Sequence, residues 1–211
     1  MPARMKPRFR GVSHQVAFVA AVGLGIALFV DAHGVRPRIA AAVFAASVAA
    51  MFGASALYHR ITWSPARRRL MRRLDHAMIY ALIAGTYTPF GLLVLKGNWR
   101  IIVLAIVWAG TAAATLLKIV WVDGPKWLGA VIGIVLGWVG VVVAPQLFDR
   151  VGASGFGLLL GGGVAYTAGA IVYALRRPDP LPAVFGYHEI FHALVIAAVA
   201  LQYSVVAFYH V

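Results

Sequence analysis

The chain has 211 residues, of which 62% are hydrophobic and only 12% charged. A soluble domain is about half apolar and a quarter charged, so this balance excludes an ordinary soluble domain and points to a polytopic membrane protein. There is no cysteine, which excludes disulfides and thiolate metal sites and leaves His, Asp and Glu as the possible metal ligands.

The N-terminal segment is basic, and an apolar run from Val16 to Val30 follows it. This resembles a signal peptide, but no clear small-x-small cleavage site follows and many apolar segments do, so it reads as a first membrane helix. In chain order the expected spans are 13–32, 38–58, 75–95, 100–120, 127–147, 154–175 and 188–209. Each has about the 20 residues needed to cross the hydrocarbon core. Polar turns with helix breakers separate them: Arg36-Pro37-Arg38, Lys96-Gly97-Asn98, Asp123-Gly124-Pro125 and the run from Pro178 to Pro182. Ser64-Pro65 reads as an N-cap followed by proline at the first helical position, opening a short basic helix before the third span. The predicted fold is therefore all-α, one seven-transmembrane helix bundle covering 1–211.

Seven spans put the termini on opposite sides. Of the 19 Lys and Arg residues, 14 fall on the N-terminal side, six of them between Arg60 and Arg73. The positive-inside rule then places the N-terminus in the cytoplasm and the C-terminus outside. The formal net charge of +13 is accounted for by these loops facing anionic lipid, and no nucleic-acid partner is expected. Gly129, Gly133 and Gly137 recur every four residues in the fifth span, as do Gly157, Gly161, Ala165 and Gly169 in the sixth. Both series read as small-residue ridges for helix packing. They are usable within or between chains, which leaves the oligomeric state open.

Ionisable side chains inside membrane spans invite a functional explanation. His59 closes the second span, Asp75 opens the third and His188 opens the seventh, all on the cytoplasmic side of this topology. His188 and His192 are four apart, so both imidazoles share one helix face. With His59 as third ligand, three neutral histidines and a water would make an open tetrahedral zinc site of the catalytic type. Asp75 would orient that water and take its proton. Ser55, one turn deeper than His59, would hydrogen-bond the water or a developing oxyanion. The competing reading has the histidines bonding across helices or sitting at the interface. Glu189 points about 100° away from His188 and is expected to pair with a basic loop residue or to support the site from outside. His76 is expected to be structural, and His14, His33 and His210 interfacial. Gly85-Thr86-Tyr87-Thr88-Pro89 reads as a proline kink whose hydroxyls cover freed carbonyls. The tryptophans lie mostly near span boundaries and read as interface anchors.

Three motifs carry a family resemblance: Ser55-x-x-x-His59, Leu74-Asp75-His76 leading to Gly85-Thr86-Tyr87-Thr88-Pro89, and His188-Glu189-x-x-His192. In this order and over nearly the whole chain, the sequence resembles the hemolysin III proteins of bacteria, the prokaryotic branch of the progestin and adiponectin receptor superfamily. The resemblance implies a multi-pass protein of the bacterial inner (plasma) membrane with zinc inside the bundle near the cytoplasmic side. It implies His59, His188 and His192 as ligands, with Asp75 and Ser55 around the zinc-bound water. Eukaryotic relatives look like ceramidase-type lipid amide hydrolases. The first functional expectation is thus a zinc-dependent hydrolase of a lipid-like amide or ester, with substrate entering laterally from the membrane lipids. The alternatives are a non-catalytic membrane sensor or homeostasis factor with a structural zinc, and the cytolysin that the family name implies.

Overall fold

Helices built from long apolar segments dominate the chain because a backbone inside lipid must satisfy its own hydrogen bonds. The structure, a computed structural model, describes residues 7–209; His210 lies outside them. Seven α-helices follow one another there: α1 (Val12–Asp31), α2 (Val35–Arg60), α3 (Pro65–Leu93), α4 (Asn98–Val120), α5 (Lys126–Gly137), α6 (Ala144–Leu175) and α7 (Tyr187–Phe208). A 3-10 turn, Val139–Val143, joins α5 to α6. The described residues contain no strand, only a single bridge between Leu181 and Phe185.

Five helical stretches are long and apolar enough to cross a membrane: α1, α2, α4, the run Lys126–Leu175 and α7. The 50-residue run holds the expected fifth and sixth spans. Its turn is Gly152, at φ 65 and ψ −177, a conformation that side chains disfavour and glycine permits. α3 starts ten residues before the expected third span, and the basic stretch is its own first turns rather than a separate helix. Pro65 does open it, but the Ser64 side chain makes no capping bond.

α2 is the central element. Phe44, Val48, Met51 and Phe52 on it meet Leu82 and Phe90 of α3 and Val195, Val199 and Val206 of α7 in the main core. Gly85 lets α3 approach α2 closely, since a Cβ there would overlap Ser47.

Two expectations change at α5 and α6. Gly133 and Gly137 do not pack against a neighbouring helix, whereas Gly129 meets Lys118 of α4 and Tyr80 of α3. A Cβ at Gly133 would meet only Ile83, at 3.9 Å, one at Gly137 would meet nothing within 4 Å, and all three residues line a cavity. On α6 the buried glycines are Gly155, Gly162 and Gly169, seven apart, and a Cβ at Gly157 would meet open space. The contacts with α7 come at Gly161, which meets Leu201 at 3.5 Å, and at Gly162 and Gly169, so only part of the four-residue series lies on the packed face.

The Gly85–Pro89 motif also does more than cover carbonyls. Thr88 Oγ1 donates to Ala84 O at 2.8 Å and Thr86 Oγ1 to Leu82 O, but Pro89 frees the Gly85 carbonyl, which neither hydroxyl meets. Tyr87 instead reaches α5, donating to Gly137 O at 2.6 Å and accepting from Gly140 N–H at 2.7 Å. Those two backbone groups flank the change from α-helix to 3-10 turn, so one hydroxyl satisfies the break on both sides. Trp138, at the same junction, donates to Thr167 Oγ1 at 3.0 Å and is an interior link rather than an interface anchor.

Candidate metal centre

The start of α1, the end of α2, the first turns of α3 and the start of α7 meet at one end of the bundle. The alternation of helix direction places them there, so His59, Asp75 and His188 arrive at one depth, as the sequence suggested. His59, His188 and His192 are all buried, and each offers a ligand atom within 4.8 Å of the others. The Nε2 atoms of His59 and His188 face each other at 3.1 Å. Nitrogens bound to one tetrahedral zinc at ~2.0–2.1 Å lie ~3.3 Å apart, so this hydrogen-bonding distance is also compatible with two ligands of one ion. His192 Nδ1 is buried with no hydrogen-bond partner. Three imidazoles with no nearby thiolate form a donor set suited to zinc and related divalent ions. The residues fit a metal.

Asp75 is buried, and its Oδ2 lies 3.9 Å from His59 Nε2, too far to bond it and near enough to share a water. The Ser55 hydroxyl hydrogen-bonds the Asp75 carboxylate. Glu189 meets its expected basic partner: Arg10 Nε donates to Oε1 at 2.5 Å, while Oε2 accepts from Gly186 N–H at 2.9 Å. The carboxylate thereby caps α7 and ties down the segment before α1. That segment is held again by Arg8 N–H to Ala183 O at 3.0 Å and Phe9 N–H to Val184 O at 3.3 Å.

One residue of this centre was misplaced by the sequence reading. His14 is not interfacial but 2% exposed, stacked on His192 with ring centroids 3.7 Å apart and planes 14° apart. Phe52 closes its other side at 5.0 Å. The signal was available: α1 begins at the same end as His188, so its first-turn histidine shares that depth. Gly11, at φ +80, brings the chain so close to His59 that a Cβ would lie 2.5 Å from the His59 Cβ.

The centre opens into a cavity of about 150 Å³. Ser55, Asp75, His188 and His192 lie on its wall, and Met51, Ile83 and Ile134 make it mostly apolar. His76, expected to be structural, also lines it. A second cavity of about 110 Å³ shares Thr86, Tyr87, Gly137, Trp138, Gly163 and Gln202 with the first. Tyr166 Oη and Gln202 Oε1, on residues lining the first, are buried without hydrogen-bond partners.

Comparison with known proteins agrees with the motifs. The family model described as "Haemolysin-III related" matches residues 3–203. This chain belongs to the haemolysin-III family. Hemolysin-3 of Bacillus cereus is 33% identical to it over 201 residues, covering 94% of this chain and 89% of the relative. The hemolysin-3 homolog of Bacillus subtilis (strain 168) is 33% identical over 167 residues, covering 79% and 75%. This haemolysin-III protein is thus a multi-pass membrane protein with three buried histidines placed to hold a metal ion.

Proposed function

We propose that this protein is a zinc-dependent hydrolase of a lipid-like amide or ester, one domain of seven crossings with its N-terminus in the cytoplasm and its C-terminus outside. The topology is supported by the gathering of Arg10, Arg60, the arginines of early α3, Lys118, Lys126 and Arg176 toward one end. In a bacterium the membrane meant is the inner one. The observation that carries the reaction is the convergence of three buried imidazoles beside one largely apolar cavity, whose wall holds His188 and His192 with Asp75 and Ser55.

A zinc ion held by His59, His188 and His192 would supply Lewis acidity and bring the pKa of a bound water towards neutrality. The chain's own groups manage the proton. Asp75 sits where its carboxylate takes the proton of a water attacking the substrate carbonyl, and later returns it to the leaving amine or alkoxide. Ser55 has one hydroxyl proton, and it is donated to Asp75. Once Asp75 is protonated, its own O–H can point at Ser55 Oγ, and the serine proton is released toward the developing oxyanion. Ser55 therefore serves the base first and the oxyanion second. The apolar wall receives a hydrocarbon chain, and the void along Gly133 and Gly137 lies on the α3–α5–α6 side, the route for lateral entry from the bilayer.

The test is elemental analysis and lipid-amide hydrolysis on purified protein, beside His59→Ala, His188→Ala and Asp75→Asn. About one zinc per chain is expected in the wild type, lost in both histidine variants and kept in Asp75→Asn, which loses turnover. Absence of metal after zinc is resupplied would sink the mechanism. Zinc without turnover on any lipid amide or ester, and equal thermal stability of Asp75→Asn, would favour the non-catalytic reading.

A further inference from the structure

Beside the histidines the cavity carries two lysines, neither of them in an ion pair with a carboxylate. Lys118, in the last turn of α4, is 6% exposed and lines the cavity. It does not reach out to an interface as membrane lysines commonly do. Its stem and ammonium lie against α5, where a Cβ at Gly129 would stand 3.2 Å from Lys118 Cε and Nζ. Lys126, at the start of α5, lines the same cavity. Its Nζ donates to Tyr187 Oη at 3.0 Å and stands 4.4 Å over the Tyr173 ring. Tyr173 in turn faces the His188 ring at 5.8 Å, so Lys126 is one aromatic ring from the metal centre.

None of the chain's six acidic residues forms an ion pair with either lysine, although Asp75 lines the same cavity. Glu189 pairs with Arg10, and Asp123 with Arg72. Asp179 accepts from Tyr187 N–H, and Asp75 is bonded by Ser55. Asp31 ends α1 and Asp149 lies early in α6, away from the ends of α4 and α2 that flank the cavity's polar end. A buried ammonium without a counter-charge, as at Lys118, is strongly unfavourable, and the half-buried Lys126 at the same cavity adds repulsion. An anion supplied from outside removes both penalties.

We propose that Lys118 and Lys126 form a head-group site for an amphiphile with one apolar chain and an anionic head, a carboxylate or a phosphate monoester. The head lies between the two ammonium groups, beside the histidines. The chain runs along the glycine face of α5 toward Tyr87 and the second cavity. As a statement about substrate or product this rests on the hydrolase reading; as a statement about binding it rests on the two lysines alone.

The experiment measures binding of three ligands of equal chain length, an alkyl phosphate, a fatty carboxylate and a fatty alcohol, to full-length protein in discs of zwitterionic lipid, corrected with empty discs. At least one anion is expected to bind about tenfold tighter than the alcohol, the scale of one charge-assisted hydrogen bond. Whichever anion binds tighter names the source. Lys118→Met and Lys126→Met should each lose most of that preference while binding the alcohol as before, which also certifies their folding; Lys118→Arg should keep it. Equal binding of all three ligands, or a preference that survives in the double methionine variant, would overturn the proposal. Zinc content is read on the same samples. A lysine-dependent preference in protein that holds no metal would remove the hydrolase reading and leave the head-group site standing.

Discussion

α2 and α5 are both apolar helices rich in small residues, yet they do opposite work. α2 buries Ala40, Phe44, Val48, Met51 and Phe52 against three neighbours and brings His59 to the histidine cluster on its last turn. α5 buries only Leu136, leaves Val131 and Val135 exposed, and turns Gly133 and Gly137 toward empty space. Small residues permit close approach only where a neighbour is present to approach; where none is, the same missing side chains leave a cavity. One helix is therefore scaffold and the other is a cavity wall.

Substitutions can break this contrast. The largest effect is expected at Phe44, 1% exposed in the core. Phe44→Ala should destabilise the protein by about 3–5 kcal/mol, against roughly 0.5 kcal/mol or less for exposed Val135→Ala. Reversible unfolding in detergent measures both, and equal losses would end the distinction. Next comes Gly133→Leu, which places a side chain in the cavity. It should abolish ligand binding while zinc content stays at wild-type level and stability changes by about 1 kcal/mol or less; loss of fold together with binding would mean that Gly133 packs after all.

Smaller effects sharpen the comparison. His14→Ala removes the ring stacked on His192 but no metal ligand. Zinc affinity should fall by roughly tenfold, the lower end of what outer-shell changes produce, as read by competition with a chelator. An unchanged affinity would make the stack incidental. Tyr87→Phe leaves Gly137 O and Gly140 N–H without their shared hydroxyl and should lower stability by about 1–2 kcal/mol. The expected signature is local, with faster amide hydrogen exchange around residues 137–143 and none around α2.

Much of the centre was legible in the sequence. His59, Asp75, His188 and His192 stand out because charge and imidazole are rare in apolar segments, and alternating crossings bring alternate helix ends together. Glu189's basic partner followed from its direction on the helix. His14 was missed because a histidine at a span end was equated with the lipid interface, although that end lies inside the bundle. The cavity was missed because hydropathy is silent about it: the same Gly, Val and Ile serve a packed seam and an empty one.

The sequence by itself determined the helices, because apolar length and the demand for internal backbone bonding leave lipid-facing segments no other structure. It also determined the family and singled out the side chains that meet at one end of the bundle. The tertiary structure alone decided which glycine face meets a neighbour, that His14 stacks on His192, and that Lys118 and Lys126 share a cavity with no carboxylate in salt-bridge reach of either. These are relations between helices far apart in the chain. They are set by how helix faces rotate against one another, a quantity on which the hydropathy of an almost uniformly apolar segment carries little information.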